Sequence, residues 1–118
     1  MARTVLVVDD HAGFRARVRE MLEISGYDVV GEAADGASAV TAARRLRPDV
    51  VLLDVRLPDM SGFDVAEQIA GESGAVVITS SHDASVFRSR MRSSAARGFI
   101  AKQDLSGSAL ADLIGGPA

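Results

Sequence analysis

Arg47-Pro48-Asp49-Val50-Val51-Leu52-Leu53-Asp54-Val55-Arg56-Leu57-Pro58-Asp59-Met60-Ser61-Gly62 is the stretch that decides the fold. The apolar run from Val50 to Leu53 is short and does not alternate with polar residues. It reads as a strand covered on both faces, which is the habit of parallel sheets packed between helices. Pro48 ends the helical stretch before it, and Pro58 marks the loop after it. The run closes on Asp54, and a second run, Thr4-Val5-Leu6-Val7-Val8, closes on Asp9-Asp10. In a parallel α/β domain these strand ends face one crevice, so three carboxylates should converge there. Like charges that close raise one another's pKa unless a cation compensates them, and hard oxygen ligands select magnesium-type ions.

Outward from this stretch, strand and helix patterns alternate. Residues 12–25 place Phe14, Val18, Met21 and Leu22 at helical spacing, and Gly26 stops them. Residues 27–33 form a more polar strand, expected at a sheet edge. Residues 36–47 carry Ala39, Val40, Ala43 and Leu46 as an apolar stripe, and 61–72 carry Val65, Ala66 and Ile69. Then follow a strand at 75–80, a helix at 84–95, a strand at 98–101 and a helix at 106–114. Five strand–helix units imply an α/β fold, a doubly wound five-stranded parallel sheet with right-handed crossovers. No internal repeat or low-complexity segment interrupts the pattern.

At 118 residues the chain is expected to be a single domain over 1–118, able to bury roughly two-thirds of its surface. The end of the chain, from 113 and above all Gly115-Gly116-Pro117-Ala118, reads as a flexible tail. A formal net charge of −3 with arginines scattered among acids argues against a nucleic-acid surface. The chain has no cysteine, which removes disulfides and thiolate metal sites. Met1-Ala2-Arg3 runs straight into the first strand with no signal-type apolar region, and no apolar run spans a bilayer. These features are those expected of a soluble, cytoplasmic protein with protein partners.

Lys102 ends the apolar strand Gly98-Phe99-Ile100-Ala101 and is the one lysine among 13 basic residues. An ammonium is a compact point charge that guanidinium does not replace at a phosphate, so its retention points to chemistry.

Together these residues resemble the receiver domain of two-component response regulators, over nearly the whole chain. The resemblance rests on Val7-Val8-Asp9-Asp10, on the stretch 47–62, on Ile78-Thr79-Ser80-Ser81 and on Gly98-Phe99-Ile100-Ala101-Lys102. It implies a flavodoxin-like (βα)5 fold with strand order 2-1-3-4-5. It also implies that Asp54 is the phosphoacceptor, a carboxylate nucleophile forming an aspartyl phosphate. Mg²⁺ (or Mn²⁺) would be held by Asp10, Asp54 and the backbone carbonyl of Arg56, with Asp9 acting through water. Lys102 would pair with a phosphoryl oxygen and Ser80 would hydrogen-bond the phosphoryl group, while Ser81 leaves an access path. Metal and lysine would neutralise charge developing during transfer.

By the same resemblance Phe99 is the switch aromatic, and Arg56 and His82 stand where side chains tune the lifetime of the phosphate. The donor would be a sensor histidine kinase or a histidine phosphotransfer protein; His11 and His82 do not match that role. Output is expected through the face of the fourth helix, fifth strand and fifth helix, to a downstream protein or a second copy of the chain. Neither nucleic acid nor membrane is an expected partner of this domain alone. The chain departs from the pattern at Gln103, where many receivers have proline, at Ala95-Ala96, and at Arg92, where an apolar residue is usual. The fourth helix is therefore expected to be polar, mobile or shifted.

The expected role is a signalling switch, not an enzyme beyond its own phosphotransfer and dephosphorylation. An alternative makes the chain the receiver portion of a DNA-binding transcriptional regulator, since Asp9-Asp10-His11 resembles that subclass. A metal-dependent phosphatase with an aspartyl nucleophile is disfavoured, because no Asp-x-Asp pair surrounds Asp54.

Overall fold

The computed structural model describes residues 2–82 and 84–118, with the backbone alone at Ala84. Five strands, β1 (Thr4–Val8), β2 (Asp28–Ala33), β3 (Val50–Asp54), β4 (Ala75–Ser80) and β5 (Gly98–Ala101), form one sheet in the order β2-β1-β3-β4-β5. Every pairing is parallel. Helices α1 (Ala12–Ile24), α2 (Gly36–Leu46), α3 (Gly62–Ile69), α4 (Arg88–Ser93) and α5 (Gly107–Ile114) complete five units. The expected doubly wound sheet is the observed one, and polar β2 lies at an edge.

Side chains alternate across the central strands and build two cores. Leu6, Val8, Val51, Leu53 and Ile78 face α2 and α3, where Ala39, Ala43, Phe63, Val65 and Ile69 meet them. Val5, Val7, Val50, Leu52 and Val77 face α1 and α5, meeting Val18, Leu22, Leu110 and Ile114. Each buried Val or Leu contributes on the order of 1.5–3 kcal/mol relative to exposure. Two packed faces hold the sheet rigid and leave its carboxyl edge free to carry chemistry.

Local chemistry sets the helix ends. Asp35 accepts from Ser38 N at 2.8 Å at the start of α2, and Ser106 from Ala109 N at 3.0 Å at the start of α5. Ser61 and Asp64 form a reciprocal capping box at the start of α3. That helix ends at Ile69, not at 72, because Gly71 takes φ +79° and breaks it. The single helix expected over 84–95 is instead a 3₁₀ turn, Ala84–Phe87, followed by the short α4. No residue of α4 is buried, and Arg92 is exposed. Among the described residues of this segment, only Phe87 and Met91 reach the core. Ser93 and Ser94 hydroxyls donate to the carbonyls of Ser89 and Met91 and so compete with helix continuation.

Leu113 and Ile114, expected as the start of the tail, form the last turn of α5, and Ile114 is buried. Beyond them, Arg3 donates to the carbonyls of Gly116 and Pro117 at 2.7 and 2.6 Å. Met1 lies outside the described residues. Among the described residues no helix is long and apolar enough to cross a membrane.

Candidate phosphoryl-transfer site

Strand ends β1, β3 and β5 deliver the four charged residues. Asp9 follows β1 directly and is fully buried, Asp54 is the last residue of β3 and nearly so, and Asp10 is exposed. Lys102 follows β5 in a 3₁₀ turn, Lys102–Asp104. Its Nζ stands 2.6 Å from Asp9 Oδ2 and 3.2 Å from Asp54 Oδ2, so one ammonium bridges two buried carboxylates. The same Nζ lies 4.5 Å above the Phe14 ring at the start of α1, a contact that favours a desolvated cation.

Burial pushes the Asp54 carboxyl above the usual aspartate range; the Lys102 charge and the N–H of Arg56, 3.3 Å from Oδ1, oppose that rise only in part. For Lys102 burial disfavours the charged form, but its contacts with Asp9 and Asp54 outweigh burial and hold its pKa above the usual lysine value. The ammonium is therefore fixed in its charged form at neutral pH.

Around this centre, Asp9, Asp10 and His11 offer ligand atoms within 4.8 Å of one another. The cluster the structure brings together thus includes His11, and Asp54 joins it through Lys102. Three carboxylates against one ammonium leave an excess of two negative charges at an open crevice. Oxygen donors with that charge deficit fit a divalent cation. Arg56 has an exposed side chain, and its backbone bridges Ser61 across the β3–α3 loop.

Ser80, buried at the end of β4, accepts from His82 N at 3.0 Å. His82 is exposed. Phe99 is half-buried, its ring 6.0 Å from Phe87, which in turn is 6.1 Å from Phe63 and 6.5 Å from His82. His11, Phe14 and Phe87 are the site's neighbours that sequence reading missed. His11 carried a signal, a second ligand type directly after two acids; the aromatic contacts join segments distant in sequence and left none.

A five-stranded parallel sheet in this order, with an acid pair, a strand-end aspartate and a lysine at one edge, defines a class of flavodoxin-like signalling domains. The sequence profile described as response regulator receiver domain matches residues 5–113, and the chain belongs to that family. It is similar to the nitrate/nitrite response regulator protein NarP of Escherichia coli, 44% identical over 84 residues, 69% of this chain and 39% of NarP. It is also similar to the transcriptional regulatory protein PdtaR of Mycobacterium tuberculosis, 42% identical over 76 residues, 64% of this chain and 37% of PdtaR. The chain thus spans less than half the length of these two relatives. Among solved structures, the signal receiver domain of the putative response regulator NarL from Mycobacterium tuberculosis superposes with a TM-score of 0.86 at 35% identity, covering 98% of both chains.

Proposed function

We propose that the chain is a phosphorylation-activated switch that receives a phosphoryl group on Asp54. The observation that carries this reading is the Lys102 ammonium held between the Asp9 and Asp54 carboxylates, beside the exposed acid Asp10. In this reading an Asp54 oxygen attacks phosphorus, the bond from phosphorus to the donor's imidazole nitrogen breaks, and the imidazole departs. The donor is a phosphohistidine of a sensor kinase or phosphotransfer protein. Asp10, Asp54 and the Arg56 carbonyl would hold Mg²⁺, with Asp9 beside them, and the ion would supply charge neutralisation for the transferring oxygens. Lys102 leaves Asp54 Oδ2 for a phosphoryl oxygen, and the Ser80 hydroxyl turns toward the same group. Arg56 and His82, both exposed at the mouth, tune hydrolysis of the aspartyl phosphate.

Movement of Ser80 opens space that Phe99 fills, repacking the face of α4, β5 and α5. A groove lined by His82, Phe99, Ala101, Gln103, Asp112 and Leu113 lies at the β5–α5 part of that face, and in this reading it receives the downstream protein or a second copy of the chain. Intact-mass measurement with acetyl phosphate tests the reading. Wild type should gain one phosphoryl group only with Mg²⁺ present, and Asp54→Asn should gain none. Equal modification of both proteins would refute the assignment.

A second reading is favoured by the relatives' lengths: PdtaR and NarP are much longer than their matched segments. In it the chain is the receiver portion of a DNA-binding regulator. A DNA titration of this chain alone should then show no tight binding at physiological salt, whereas the gene's full product should bind.

A further inference from the structure

We propose that His11 is a nitrogen ligand to the cation held by Asp9 and Asp10, and that it shifts the site's selectivity from Mg²⁺ toward Mn²⁺ and other imidazole-accepting divalent ions. The inference rests on the receiver reading only in taking a cation to bind at this edge.

Two carboxylates converge on one ring nitrogen. His11 Nδ1 lies 3.0 Å from Asp10 Oδ1 and 3.1 Å from Asp9 Oδ1. Neighbouring donors on a six-coordinate ion with bonds of about 2.1 Å stand about 3.0 Å apart. Both separations are therefore those of adjacent ligands on a single ion. Hydrogen bonding alone accounts for them less well, because Nδ1 carries at most one proton and can serve only one of the two acceptors fully.

The surroundings keep this nitrogen available. His11 is the N-cap residue of α1, yet its side chain makes no capping hydrogen bond. Its ring is 71% exposed, so water and ions reach it, whereas Asp9 is fully buried. Lys102 engages Asp9 on Oδ2, which leaves Oδ1 directed at the His11 ring and backbone N–H. Carboxylate oxygens alone suit Mg²⁺, Ca²⁺ and Mn²⁺ alike, while an added imidazole raises affinity along the transition series.

The test uses the full chain with Mn²⁺ as probe. Pulsed electron paramagnetic resonance of the Mn²⁺ complex should show ¹⁴N coupling from a directly bound imidazole, absent in His11→Asn. The chain has only two histidines, so His82→Asn should keep the signal. Mn²⁺ affinity in His11→Asn should fall by at least about tenfold, because even losing an outer-shell partner of a ligand costs about 10–100-fold. Mg²⁺ affinity, measured by competition, should change much less. A wild-type complex without nitrogen coupling, coupling that persists in His11→Asn, or an unchanged Mn²⁺/Mg²⁺ ratio would each overturn the proposal. Asp10→Asn separates the two levels. If it abolishes Mn²⁺ binding while His11→Asn changes nothing, only the role of His11 fails; if it leaves Mn²⁺ binding intact, the cation assignment itself fails with it.

Discussion

Lys102 reaches both carboxylates because it leaves β5 at the carboxyl edge and extends over the ends of β4 and β3 toward β1. Its Nζ fits between oxygens 2.6 and 3.2 Å away, with the Phe14 ring beneath it. A planar guanidinium has no such shape, and its donors are spread in a fixed fork. Lys102→Arg should therefore keep the charge but lose most of the coupling between phosphorylation and conformation. Beryllofluoride should change NMR shifts around Phe99 far less in the variant than in wild type; equal changes would sink the role. The same crowding is written into Gly62, where a Cβ would stand 2.2 Å from the Asp54 carbonyl oxygen and 3.1 Å from Val55 Cα. Backbone cannot yield as a side-chain tip can. Gly62→Ala should destabilise the domain by about 2–3 kcal/mol, read as a fall in denaturation midpoint. Asp9, Asp10, Asp54 and Lys102 were legible because each ends an apolar run. The convergence of Asp10 and His11, and the seat of Lys102 on Phe14, depend on how α1 docks, which no local pattern encodes.

Between elements, the loop from β3 to α3 is tied to α2 by a contact that spacing did not reveal. Asp59 accepts from Gly36 N at 2.7 Å and Ala37 N at 3.0 Å, adding a second carboxylate beside Asp35 at the first turn of α2. Met60 packs where Gly36 lacks a side chain, its Cγ 2.3 Å from where a Cβ would be. The N–H groups of Gly36 and Ala37 hold the Asp59 carboxyl below its ordinary pKa of 3.8. A depressed folded-state pKa stabilises above the unfolded value and loses that contribution as pH falls through the folded one. The melting temperature of Asp59→Asn should thus lie below wild type at neutral pH, with the gap closing below pH of about 4. A gap that is constant to pH 3, or absent at pH 7, would show that the clamp does not act. The elements themselves were legible wherever an apolar stripe was long. Across 84–95 the stripe reduces to Phe87 and Met91, so helical spacing promised more than the packing sustains. Phe87 instead wedges between Phe63 and Phe99.

Across the whole molecule, continuous apolar strands dictated a sheet covered on both faces, whereas the order β2-β1-β3-β4-β5 followed from resemblance, since crossovers leave little trace in local sequence. That order has an energetic consequence, because it gathers Asp9, Asp10 and Asp54 at one end of the domain with the Lys102 ammonium between two of them. The folded chain concentrates this negative charge and the unfolded chain disperses it, so a divalent cation should bind the folded state preferentially. At ten times its dissociation constant, Mg²⁺ would then stabilise the domain by about 1.4 kcal/mol. For a chain of this size that is roughly a 4–8 °C rise in melting temperature. Excess chelator should reverse the rise, and sodium chloride of matched ionic strength should not reproduce it. Asp10→Asn, at an exposed position that the core does not need, should melt alike with and without Mg²⁺. If wild type melts at one temperature in Mg²⁺ and in chelator, the acid cluster does not hold the ion, and the charge excess must be relieved by the Lys102 bridge alone.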